Sequence, residues 1–218
     1  MNKEWADLNK ETQLQLRKES TYAEGIETLF VLRRQLMGTL ISLKTELSRE
    51  DFNAIPFINA DGYHSKTIAY SIWHIFRIED IVAHSLISDE EQIFFSGNYQ
   101  KRIGTPIITT GNELVGQQIA DFSSMLNLEQ LYEYIAEVKE STEKILIDLS
   151  YKELKRKFTD MDKNDLRNLN VVSTDENACW LIDYWCGKDI RGLIQMPFSR
   201  HWIMHIEASL RIRNKIKR

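Results

Sequence analysis

The chain has 218 residues, 43% of them hydrophobic, which suffices for one domain spanning 1–218 around a single buried core. Its 28 Lys and Arg against 32 Asp and Glu leave a net charge of -4, so it offers no general attraction for nucleic acid, whose binding rests on neutralising phosphates. No stretch is long and apolar enough to span a bilayer, and residues 1–7 lack the apolar run of a secretory signal; the expectation is a cytoplasmic protein with neither nucleic acid nor membrane as partner.

Residues 1–20 are polar apart from Trp5, Leu8, Leu14 and Leu16, the pattern of a loosely docked leading helix. From 21 to 48 there is neither Pro nor an interior run of β-branched residues. There Ile26, Leu29, Phe30, Leu36, Leu40 and Leu43 recur at helical spacing, with Arg33, Arg34 and Lys44 between them. This is the first long amphipathic helix of a bundle. Residues 52–63 carry turn signals at Asn53, Pro56, Asn59 and Asp61-Gly62.

A second helix is predicted over 66–87. Ile68, Ile75, Ile78, Val82 and Leu86 share one face, Arg77, Asp80 and His84 gather on the other, and His74 falls on the rim of the buried face. His84 follows Asp80 by four residues, the spacing of an exposed ion pair. Residues 88–126 read as irregular, with Gly97, Gly104, Pro106, Gly111 and Gly116; a connection of that length is where a loop shaping a substrate site would lie. Helical spacing returns at 127–150 through Leu128, Leu131, Ile135, Val138, Ile145 and Leu149. The charged stretch 151–176 suggests loops or short helices. Trp180, Leu181, Tyr184, Ile190, Leu193 and Ile194 give a helix-compatible pattern interrupted by Gly187 and Gly192. Cys179 and Cys186 lie too far apart on one helix, about 10 Å, for a disulfide or a shared zinc ion, and read as packed reduced thiols. Pro197 suits the first turn of a last helix, where the N–H it lacks would be unpaired anyway.

That last helix carries the chemistry. His201 and His205 stand four residues apart, about 6 Å along the axis, and point inward with Ala208, Ile212 and Ile216, while Met204, Glu207, Arg211 and Lys215 form a solvated stripe. Burying an imidazole without partners costs about 1–3 kcal/mol, so something must satisfy both. Hydrogen bonds from other helices would serve, and so would a metal ion; spacing alone leaves both open. A metal needs a third protein ligand, and the other imidazoles are His64, His74 and His84. His74, at the rim of the buried face, is the choice.

The run Ser71-Ile72-Trp73-His74-Ile75-Phe76-Arg77-Ile78-Glu79-Asp80 resembles the second-helix motif of the DinB-like (DinB/YfiT) superfamily of metalloenzymes. The run from Pro197 through His205 resembles that family's last-helix HxxxH motif, and 180–188 is similar to a variant with a longer region before the final helix. The likeness is specific over some fifty residues in all and architectural elsewhere. It implies an all-α, four-helix bundle in up-down-down-up order, often a homodimer, with one divalent ion held by His74, His201 and His205. It departs after His205, where many members carry Gly-Gln and this chain has Ile206-Glu207-Ala208.

Three neutral imidazoles leave coordination positions open, as in catalytic rather than structural sites, and suit Zn, Ni, Fe or Cu, with Zn or Ni the expected occupant. The resemblance further implies a transferase that moves a low-molecular-weight thiol, such as bacillithiol, mycothiol or glutathione, onto an electrophilic small molecule; a metal-dependent hydrolase is the alternative chemistry. No general base is evident, since Glu79 and Asp80 lie away from the His74 face and suit only an outer-shell role. Trp73 and Trp202 flank ligands, though large aromatics there are more often core. The rival reading is a stress-response or protein-interaction bundle whose metal is structural or absent. Its support is the basic tail from Arg211 to Arg218, for which favourable placement of cations at a helix C-terminus is explanation enough.

Overall fold

The helical spacing in the sequence is realised in the computed structural model, which describes residues 2–218 and shows an all-α protein. Among those residues no strand forms, and an isolated antiparallel bridge pairs Lys157 with Asp189. Helix α1 (Lys3–Gln15) begins where the Asn2 side chain accepts the amides of Glu4 and Trp5. Helix α2 (Tyr22–Glu46) is the longest. Helix α3 (Ile68–Asp80) starts at Thr67, whose hydroxyl accepts the Tyr70 amide, and winds on as a π-helix over Ile81–Ser88 until Asp89 turns left-handed at φ 55. Helix α4 (Leu128–Asp148) is capped by Asn127. Helix α5 (Trp180–Cys186) is short, and α6 (His201–Ile216) follows a widened π turn over Met196–Arg200, with Pro197 in its first turn.

Helix α3 lies between α4 and α6, and α2 packs against both of them. Leu32, Leu36, Leu40 and Leu43 of α2 meet Ile68, Ile72 and Ile75 of α3, Leu131, Ile135 and Val138 of α4, and Trp202 and Ile206 of α6 in one core. Each such side chain contributes about 1.5–3 kcal/mol on burial, so this layer fixes where α3 and α6 face each other. A second core joins the start of α2 and the end of α3 to the region before α6, through Ile26, Leu29, Ile78, Val82, Leu154, Leu166, Trp185 and Ile190. The leading segment is docked along α2, with Trp5, Thr12 and Leu16 buried. No helix is long and apolar enough to cross a membrane among the described residues.

Two expectations about solvated faces are corrected. Every residue of α3 is buried, Arg77, Glu79 and Asp80 included, and so is His84. The reason is the segment 88–126, which is less irregular than its glycines suggest. It holds helices Ile93–Ser96, Tyr99–Ile103 and Gln117–Met125, and it lies over the polar side of α3. Asp80 accepts the amides of Ile93 and Phe94, and the Arg77 guanidinium sits 4.4 Å over the Phe94 ring. On α2, Arg33 is likewise fully buried, because Glu79 of α3 supplies a counter-charge. Of the two cysteines, Cys186 is buried as expected, its thiol pushed up to about 11 chiefly by desolvation, whereas Cys179 is exposed.

Candidate metal centre

Helices α3 and α6 bring three imidazoles together. The ring centroids are 5.0 Å apart for His74 and His201, 4.8 Å for His74 and His205, and 4.7 Å for His201 and His205. One nitrogen from each falls within 4.8 Å of the other two, and all three side chains are buried. Two bonds of 2.0–2.1 Å to one ion span at most about 4.2 Å, so adjustments of under an ångström would close the set. His64 and His84 stand outside this cluster. His64 lies 2.9 Å from the Arg211 guanidinium, and His84 is committed to Asp80 and to the Ser141 hydroxyl.

The tautomer of His74 is fixed by its neighbour. Its Nδ1–H donates to the Thr110 carbonyl at 2.8 Å, which leaves the Nε2 lone pair free and raises its basicity as a ligand. Thr110 belongs to a loop lashed to α3 at three points, since Tyr70 also donates to the Gly111 carbonyl and Arg77 to that of Ile108. Gly111 makes this possible. It holds φ +77, and a Cβ there would meet the Tyr70 ring at 3.1 Å. Tyr70 in turn stacks on His74, with ring planes 11° apart.

The other two histidines have no such partners. His201 Nδ1 and both ring nitrogens of His205 are buried without a hydrogen bond. Such a group costs about 1–3 kcal/mol if left unmet, and three at one point mark a place prepared for something that accepts lone pairs. Electrostatics agree. Burial drives the His74 pKa down to about 4, against the Thr110 hydrogen bond, and Lys66 lowers it further. Burial, then the neighbouring imidazoles, push His201 and His205 well below the ordinary histidine value. Three neutral donors are the state a divalent ion requires, so the residues fit the group.

The cluster is reachable. His74 and His201 form one wall of a cavity of about 250 Å³, whose other walls include Tyr63, Asn112, Trp180, Tyr184, Trp185 and Met196. His205 lies behind, with Tyr63 edge-on to it at 4.7 Å. Most of the aromatic wall comes from α5, so the extended region before α6 shapes the approach to the histidines. Trp73 and Trp202 are core, both fully buried.

Glu79 and Asp80 make no contact with His74, His201 or His205. Both Glu79 oxygens accept from Arg33, at 2.7 and 3.0 Å, and one also accepts from the Trp202 indole at 2.8 Å. Asp80 accepts from Tyr134 as well as from the two amides and His84. Ser141, His84 and Asp80 thus line up with contacts of 2.8 Å each, the order of a hydrolytic triad. Ser141 sits within α4, however, where backbone N–H groups belong to the helix and cannot cradle an oxyanion. The chain is an interhelical staple.

Sequence reasoning missed Thr110, Asn112 and Tyr63. A backbone carbonyl leaves no signature in side-chain type, and no spacing rule links position 110 to position 74. The chain matches no protein-family model and no curated protein. What stands is a helical protein with a buried three-histidine group able to hold a metal ion.

Proposed function

We propose that His74, His201 and His205 hold one divalent ion, zinc or nickel, and that the protein is a DinB-like metalloenzyme of four-helix-bundle type. Its substrate is a small molecule, and the reaction is transfer of a low-molecular-weight thiol to an electrophile. The observation that carries this reading is the convergence of three buried imidazoles, two with unpaired ring nitrogens, at a cavity whose wall includes His74 and His201. An ion held there supplies acidity, lowering the pKa of a thiol or polarising a substrate oxygen at neutral pH. In the overall reaction the C–S bond forms as the bond from carbon to the leaving group breaks, and the thiol proton departs with that group.

The chain's own residues have three parts in this. The Thr110 carbonyl holds His74 in one tautomer and orientation. Tyr63, Trp180, Tyr184 and Trp185 displace water from the approach and offer an apolar surface to the electrophile. Asn112, on the lashed loop, adds one polar group to that wall. No carboxylate acts on any of the three histidines, so no side chain there is placed to hold the thiol proton, which leaves with the departing group. Opening of the site at His74 and His201 favours this over a structural metal, which would be enclosed.

Elemental analysis of protein purified without chelator tests the metal: about one equivalent is expected in the wild type and less than a tenth in His201→Ala. Thiol consumption with an epoxide or haloarene tests the chemistry. Activity that survives EDTA would defeat the transferase reading, and metal content without any turnover would favour a structural ion.

A further inference from the structure

No Asp, Glu, Lys or Arg lines the cavity, and burial keeps its two imidazoles neutral. Charges in the neighbourhood lie outside the lining and are of both signs. Lys188 stands 4.1 Å over the Tyr184 ring and Lys66 5.1 Å over that of Tyr70, and Arg200 is exposed at the entry to α6. Against them, Glu113 follows Asn112 in the chain and keeps one carboxylate oxygen buried without a hydrogen bond, and Asp183 pairs with Lys163 at 2.8 Å. An ion entering the cavity would therefore shed its hydration without meeting an opposite charge on the walls, a penalty that a neutral molecule of the same shape escapes.

Shape and size narrow the choice further. Four of the walls are the rings of Tyr63, Trp180, Tyr184 and Trp185, which favour offset or edge-on contact with another flat ring. An apolar protein cavity of about 150 Å³ admits benzene, so one of about 250 Å³ has room for a second fused ring. Among the polar groups on the walls, the Trp180 indole is spent on the Asn177 carbonyl and Asn112 is engaged with the Thr110 hydroxyl at 2.8 Å. The hydroxyls of Tyr63 and Tyr184 have no hydrogen bond among the described residues. Tyr184 comes from α5, whereas the Tyr63 ring stands edge-on to His205 at 4.7 Å and so belongs to the histidine end, where a reacting group must lie.

We propose that the cavity takes an uncharged aromatic molecule of one or two fused rings, seated against Trp180, Tyr184 and Trp185, and that the Tyr63 hydroxyl donates a hydrogen bond to an oxygen this molecule carries towards the histidines. The inference rests on the cavity being the substrate site of the reading above, and it makes Tyr63 a residue that selects the substrate.

The probes are 2-naphthamide, 2-naphthoate and 2-naphthylmethylammonium, which share a ring system and differ in charge, and naphthalene, which has no oxygen. Binding is measured by equilibrium dialysis on protein treated with EDTA, so that no carboxylate can sit on an ion. The amide should bind at least about tenfold more tightly than either charged probe. Tyr63→Phe should weaken the amide about fivefold and leave naphthalene unchanged. Trp180→Ala, at a residue 48% exposed, should weaken the amide and naphthalene alike. In the wild type, which needs no variant to fold, failure of the amide to bind, or a charged probe that matches it, would overturn the inference. An unchanged affinity in Trp180→Ala would do the same by placing the ligand elsewhere, and an equal loss of amide and naphthalene in Tyr63→Phe would remove the hydrogen bond. Elemental analysis before chelation keeps the two readings apart: protein that never contains metal defeats the metal reading and leaves this binding order standing, whereas metal-bearing protein that fails the binding order loses only the uncharged aromatic ligand.

Discussion

Helix α3 presents two groups of buried polar side chains that differ in one respect. Glu79 and Asp80 have every oxygen satisfied, by Arg33, Trp202, Tyr134, His84 and two backbone amides. His74, one and a half turns earlier, meets His201 and His205 at a point where three ring nitrogens have no protein partner at all. Satisfied groups specify how helices pack; unsatisfied ones, left open beside a cavity, are kept for a ligand. An unpaired atom alone does not mark the site, since Trp73 Nε1 and both terminal nitrogens of Arg77 on the same buried helix also lack hydrogen bonds; convergence of three imidazoles beside a cavity does.

The contrast can be broken most severely on the scaffold side. Arg33→Met should cost about 3–5 kcal/mol in urea unfolding, because it strands the Glu79 carboxylate in the core. A loss of only ~1 kcal/mol, the scale of an exposed pair, would show that water reaches Glu79 and that the network is not a closed one.

On the site side, His201→Ala removes a group with no protein hydrogen bond, so the metal-free protein should lose little. Metal at ~100 times its Kd should add about 2.7 kcal/mol to the wild type and nothing to the variant. A chelator that leaves the wild-type midpoint unmoved would contradict a bound ion.

The two groups should also respond to pH with opposite signs. In the metal-free protein, folded-state pKa values of the three ligand histidines lie below that of an unfolded histidine, 6.5, His74 at about 4. The unfolded chain therefore binds more protons, and stability falls as pH drops from 6.5 towards 4. The pKa of His84 is raised by the Asp80 carboxylate against the desolvation of its burial, so its contribution is present below 6.5 and fades as pH rises through its folded value. His84→Gln should accordingly cost more at pH 6 than at pH 9, as read by urea midpoints. A cost that grows with pH would mean the imidazole is neutral against Asp80.

The smallest effect is expected at His64. Its contact is with the Arg211 guanidinium rather than with the cluster, so His64→Ala should keep full metal content and change stability by no more than about 0.5 kcal/mol. Metal loss there would place a fourth imidazole at the centre.

Much of this was readable in the chain. Helical spacing located α2, α3, α4 and α6 to within a few residues, and the four-residue interval in α6 aimed His201 and His205 inward. The wheel also put His74 near the buried side. It failed for Arg77, Asp80 and His84, because a wheel knows only one helix, and charge on its outer face cannot announce that other segments will cover it; nor does the sequence show that Glu79 will meet Arg33 of α2 in the core.

The sequence by itself determined which residues are helical, where caps and Pro197 start helices, and which imidazoles lie on inward faces, since each of these follows from interactions within a few positions. Only the tertiary structure decided that His74 meets the α6 pair, that the Thr110 carbonyl holds it, and that α5 walls the cavity with aromatics. Those contacts join positions as far apart as 74 and 205, and they arise from how the cores stack the helices, which no local pattern encodes.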